Sequence, residues 1–144
     1  MAADHPKIVA TVLDATDARE LAEFYRRLLG FEYARGDESP PPGEPDERGT
    51  SWLVLCDEAG TARLAVQQVD ELPAATWPAA DVPQQLHLDL SVPSREALDE
   101  QHERALALGA RLLEDRADDP VESIRIYADP AGHPFCLIVL PHLG

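Results

Sequence analysis

The residues best equipped for chemistry lie on two short alternating stretches and one apolar run. In QLHLDLSV, Gln85, His87, Asp89 and Ser91 take every second position. In an extended strand they share one face, with Leu86, Leu88, Leu90 and Val92 on the other. His87 suits a general base, because an imidazole is the side chain able to exchange a proton at physiological pH. Asp89 is placed to orient it, although same-face neighbours stand ~7 Å apart, long for a direct pair. A structural histidine in a hydrogen-bonded polar layer explains the same pattern. A polar row of this kind, if dry, needs water, its own members or a ligand as partners.

In SIRIY, Ser123, Arg125 and Tyr127 alternate against Ile124 and Ile126. Arg125 can grip a carboxylate or phosphate, or pair internally with Asp89 or Glu32. Cys136 sits in the apolar run Phe135–Leu140, after the turn formers Asp129-Pro130 and Gly132. Trp52 lies in SWLVLC and faces either core or ligand. Trp77 lies in a proline-rich stretch, where it covers a ligand mouth, a dimer seam or a sheet edge. His5 and His102 read as surface residues, His133 and His142 as turn and tail.

These residues must be held by a scaffold, and the chain repeats one plan twice. Residues 7–13 read as a strand. Asp17 with Glu20 forms a capping-box pattern. Leu21, Phe24, Tyr25, Leu28 and Leu29 then mark one stripe of an amphipathic helix that Gly30 ends. Strands follow at 31–35, 51–56 and 61–69. Between the first two, SPPPGEP cannot join a ladder and reads as an exposed loop over 36–49, a candidate lid. Residues 70–84, with Pro73, Pro78 and Pro83, read as a linker. Then come a strand at 85–92, a helix from the Ser94 cap to Leu108 with Gly109 beyond it, and strands at 111–114, 121–128 and 135–140. The order β-α-β-β-β, stated twice, suggests duplication. Val12 and Val92 align, and each helix closes in Leu-Gly.

The 144 residues suit one domain, 1–144, built as module one (6–69), a linker (70–84) and module two (85–141). The net charge of −15 argues against nucleic-acid binding and is explained either by solubility or by attraction of a cationic ligand. No apolar run nears the ~20 residues that span a bilayer. The first residues lack a signal-peptide pattern, which points to the cytoplasm. Cys56 and Cys136 form no C-x-x-C pair and read as free thiols.

LDATDARELAEFYRRLLGFE and DPAGHPFCLI resemble two signatures of the vicinal oxygen chelate superfamily, the glyoxalase, bleomycin-resistance and dioxygenase fold. The nearest flavour is the glyoxalase-like domain of unassigned activity. The resemblance covers nearly the whole chain. It implies an α+β fold of paired modules with cupped mixed sheets, ligands in the cup, and a homodimer. Metal enzymes of the superfamily hold a divalent ion at four strand positions, which match Lys7, Gln67, His87 and Cys136. Lysine has no lone pair to offer when charged, glutamine is a weak ligand, and a thiolate suits zinc rather than harder ions. At most two strong ligands remain, too few for an open catalytic site.

The reading that follows is a metal-independent small-molecule binding protein of the bleomycin-resistance type. It sequesters an organic ligand, cationic or aromatic, against Trp52, Gln67, His87, Asp89, Arg125, Tyr127 and Cys136. No residue is assigned to catalysis or to a metal, no cofactor is expected, and neither nucleic acid nor membrane is a partner. The alternative is a lyase, isomerase or dioxygenase using His87 as acid–base or with a divalent metal.

Overall fold

The computed structural model describes residues 5–141. The chain divides between Glu71 and Leu72 into two compact units, each with one helix and one four-stranded mixed sheet. The architecture is α+β, and the element order is the expected β-α-β-β-β stated twice.

Unit one contains β1 (Thr11–Ala15), α1 (Ala18–Leu29), β2 (Glu32–Tyr33), β3 (Trp52–Cys56) and β4 (Ala62–Gln68). Its sheet runs β1-β4-β3-β2, with β1 parallel to β4 and the other pairs antiparallel. Asp17 caps α1, its carboxylate accepting from the Glu20 amide at 3.1 Å. Gly30 closes it at φ 70°, a left-handed conformation that penalises any residue with a Cβ. The stripe Leu21, Phe24, Tyr25 and Leu28 is buried as its spacing predicts. Below it lie Leu13, Leu53, Leu55, Leu64 and Val66, all buried, on the helix-facing side of the sheet.

The loop over 36–49 is fastened rather than free. Arg19 of α1 holds the Asp46 carboxylate through Nε at 2.7 Å and Nη2 at 2.8 Å, and donates to the Asp37 carbonyl at 2.6 Å. Asp37 is itself buried and accepts from Arg48 Nε and the Val54 amide. These anchors replace the expectation of a mobile lid.

Unit two contains β5 (Leu88–Val92), α2 (Arg95–Leu108), β6 (Arg111–Arg116), β7 (Ile124–Ala128) and β8 (Pro134–Val139), in the sheet order β5-β8-β7-β6. Ser94 caps α2 by accepting from the Ala97 amide at 3.1 Å. The stretch expected as a linker packs onto this unit. Trp77 lies against Ile124, Ile126 and Cys136. Gly132 approaches Ala74 so closely that a Cβ there would stand 2.7 Å from the Ala74 Cβ.

The opening strand begins at Thr11, not at residue 7, and β5 begins at Leu88, not at residue 85. The two helix caps set the true register of the repeat. Ala15 and Val92 each stand two residues before a cap, so Val12 corresponds to Asp89 and Ala10 to His87. The Val12–Val92 alignment is therefore displaced. Helix starts are sharp markers, whereas valine recurs along any strand.

Candidate functional site

The side chains that converge come from β5, from His87 just before it, and from β8. These strands are parallel neighbours, and Asp89 is the register partner of Cys136. Facing residues in a ladder stand roughly 5 Å apart at Cβ, so their side chains share one small volume. His87 reaches forward along the same face, bringing Nε2 to 3.3 Å from Asp89 Oδ1. The ~7 Å expected between them describes Cβ positions; imidazole and carboxylate lean together and close that gap. One donor atom each from His87, Asp89 and Cys136 all lie within 4.8 Å of one another.

A cavity of about 230 Å³ opens beside these three groups. Ile124, Ile126 and Ile138 form its floor, Trp77 and Pro134 wall it, and Gln84, Arg116 and Glu122 add polar groups. Its apolar part is continuous with the buried cluster of Ile124, Ile126 and Cys136. Burial pushes the Cys136 thiol up to about 12, and the nearby Asp89 carboxylate adds to the shift. At neutral pH the metal-free protein thus holds a thiol there, not a thiolate.

Arg125 and Tyr127 are not part of this cavity. β7 alternates, and Ile124 and Ile126 take the cavity side. Arg125 instead meets acids beyond the other face, with Nη1 2.9 Å from Asp99 of α2 and Nε 3.2 Å from Asp115. The internal ion pair exists, but its partners are neither Asp89 nor Glu32. Tyr127 is fully buried, stacks on Phe135 with centroids 5.1 Å apart, and shares a 2.8 Å hydrogen bond with His102 Nδ1. His102, read as a surface residue, is therefore a partner of the core.

Trp52 and Gln67 are register partners in the sheet of unit one, and both are exposed. The adjacent Gln68 is committed to structure: it accepts from the Ala18 amide and donates to the Thr16 carbonyl.

Among the cavity residues, Ile124, Ile126 and Glu122 are ones that sequence reasoning left out, and Trp77 had a ligand mouth as only one of three placements. Ile126 was recoverable. The turn at 129–133 pairs Ala128 with Pro134, which makes Ile126 the partner of Cys136 and turns Arg125 away. Trp77 carries no local signal, because its position depends on how residues 72–84 fold back.

A family model described as "Glyoxalase-like domain" matches residues 10–138. The chain belongs to the glyoxalase-like domain family. No curated protein matches it. Solved structures share the fold at low identity. The fosfomycin resistance protein FosX from Listeria monocytogenes, in a variant complexed with Mn(II) and 1S,2S-dihydroxypropylphosphonic acid, is 19% identical. Its TM-score is 0.65, with 94% of this chain and 93% of that chain covered. A glyoxalase/bleomycin resistance protein/dioxygenase family enzyme from Burkholderia phytofirmans is 16% identical, with a TM-score of 0.62 and 91% and 96% covered. A possible glyoxalase from Bacillus cereus is also 16% identical, with a TM-score of 0.61 and 92% and 97% covered. Among the described residues, no helix of this glyoxalase-like domain is long and apolar enough to cross a membrane.

Mn(II) in the FosX complex raises the question of whether this domain's residues fit such an ion. Mn(II) favours hard oxygen ligands in six-coordinate sites. The converging set here is one imidazole, one carboxylate and one sulfur. By the cap register, the position corresponding to His87 in unit one is Ala10, which carries no donor; Lys7 lies outside the strand. The set does not fit a hard Mn(II)-type centre.

Proposed function

We propose that this glyoxalase-like domain is a small-molecule binding protein whose organic ligand occupies the cavity of unit two without a Mn(II)-type centre. The supporting observation is the pairing of an apolar floor, Ile124, Ile126 and Ile138, and the Trp77 wall with the polar groups of His87, Asp89 and Glu122. Apolar burial supplies affinity and a few placed polar groups supply orientation. At about 230 Å³ the cavity lies below the ~300–1,000 Å³ of drug-sized sites, which suits a small metabolite or one end of a larger compound. Asp89 and Glu122 favour a cationic or hydrogen-bond-donating end, and the net charge of −15 draws cations towards the surface.

The test is a thermal-shift panel of small amines, neutral aromatics and organic acids on Trp52→Phe protein, in which Trp77 is the sole tryptophan. The expected result is a compound that raises Tm and shifts Trp77 emission, with both effects lost in Ile126→Phe and reduced in Asp89→Asn. A panel without any such compound, or a shift that persists in both variants, overturns the reading.

A second reading is an enzyme with His87 as acid–base, favoured by the 3.3 Å contact to Asp89. Turnover of a bound compound that is lost in both His87→Ala and Asp89→Asn would establish it.

A further inference from the structure

The cavity of unit two holds charges of both signs, and they do not meet. Asp89 stands on β5 and Arg116 on β6, the two outer strands of the order β5-β8-β7-β6. Asp89 pairs across with Cys136, and Cys136 with Ile126. Arg116 pairs with Ile124, and Ile124 with Ile138. The two charges are thus three inter-strand steps apart, roughly 14 Å along the sheet at ~4.8 Å per step. The isoleucine floor lies between them. Among the described residues, the one ion pair of Arg116 is with Glu114, whose Oε2 stands 3.6 Å from its Nε. That contact is too long for a hydrogen bond, so the guanidinium lines the cavity with donors to spare.

We infer that the ligand of this cavity is a short zwitterion, an aliphatic chain with an ammonium at one end and a carboxylate at the other, laid across the isoleucine floor from Asp89 to Arg116. The inference rests on the binding-protein reading above and names its ligand class.

Each pole meets an opposite charge. The ligand carboxylate accepts from the guanidinium fork, the geometry for which arginine is best suited. The ligand ammonium donates to the Asp89 carboxylate, which His87 Nε2 holds from the other side at 3.3 Å. The methylenes between the poles cover Ile124, Ile126 and Ile138, and a chain of this size suits about 230 Å³. An acceptor without a donor sits in the same wall, since Gln84 Oε1 is buried with no hydrogen-bond partner among the described residues. An ammonium brings three donors, more than one carboxylate oxygen uses.

The same charges reject the simpler alternatives. A plain amine leaves Arg116 without an anion. A plain acid finds one guanidinium but also meets Asp89 and Glu122. A zwitterion with both poles on a single carbon spans too little to touch both outer strands. Separation of the poles is therefore part of the specificity, as well as their signs.

The experiment titrates the full chain by calorimetry with four compounds of matched size: δ-aminovalerate, its isomer norvaline, pentylamine and valerate. The expected result is saturable binding of δ-aminovalerate, one per chain, with each of the other three weaker by about 10-fold or more. Arg116→Gln should bring δ-aminovalerate down to the level of pentylamine without weakening pentylamine itself. Asp89→Asn should weaken both. Norvaline or pentylamine binding as tightly as δ-aminovalerate overturns the inference, and so does a preference for δ-aminovalerate that survives Arg116→Gln. Failure of all four compounds while another member of the thermal-shift panel binds also overturns it, and leaves the binding-protein reading standing. Failure of all four together with the whole panel overturns both.

Discussion

The two units follow one plan and spend it differently. Cap-to-cap register with strand pairing sets Leu53 against Arg125, Leu55 against Tyr127, Val12 against Asp89 and Ala65 against Cys136. On the helix side, unit one is apolar throughout, with Leu53 and Leu55 fully buried beneath α1. Unit two puts an ion pair and a tyrosine–histidine bond in the same places, and α2 buries only Leu98 and Ala105. On the other face the contrast reverses: Val12 and Ala65 offer no chemistry, whereas Asp89 and Cys136 do. One copy serves as an apolar scaffold, and the other trades apolar packing for polar groups on both faces of its sheet.

The largest expected effect breaks the comparison in unit one. Leu53→Ala removes a fully buried side chain and should destabilise by about 2–5 kcal/mol, read from urea unfolding. At the matching position, Arg125→Leu imports the solution of unit one. Asp99 and Asp115 are about half exposed and keep water as a partner. Stability should therefore change by no more than about 1 kcal/mol. A loss as large as that of Leu53→Ala would show that the ion pair is structural in its own right.

Tyr127→Phe deletes the hydroxyl bonded to His102 and should cost about 1 kcal/mol in the same assay. Val12→Asp copies Asp89 into unit one at a partly exposed site, and should move stability by no more than about 0.5 kcal/mol.

The remaining effect appears only at high pH, as a slope. Burial, with a hydrogen bond to Glu23, raises the Tyr33 phenol to about 12 from an ordinary 10. Above pH 10 the unfolded chain loses this proton while the folded one keeps it, so stability is full below 10 and falls between 10 and 12. Tyr33→Phe should flatten part of that fall in pH-dependent unfolding. Burial raises Tyr127 as well, so the remainder belongs partly to unit two.

The elements were legible in the sequence because their signals are local. Asp17, Gly30, Ser94 and Gly109 delimit the helices, and alternation marks β5 and β7. Unit one's helix stripe was equally plain. What failed was register and facing. Val12 was matched to Val92 because a valine is a weak marker. Arg125 and Tyr127 were turned towards the ligand because alternation alone does not say which face is which. The His87–Asp89 contact escaped because backbone spacing says little about where two flexible side chains meet. The approach of Trp77 is a tertiary event with no periodic trace.

The Arg19 clamp has a consequence for how the molecule comes apart. A proline-rich loop of this length ordinarily frays first, opening at almost no free-energy cost. Here its carboxylate and carbonyl groups are bolted to the first turn of a helix that rests on the most apolar sheet in the chain. Loop and helix therefore open as one cooperative block. Amide hydrogens at Asp37 and Gly49 should exchange with solvent on the timescale of the helix, and a protease should find no early cut between residues 37 and 49.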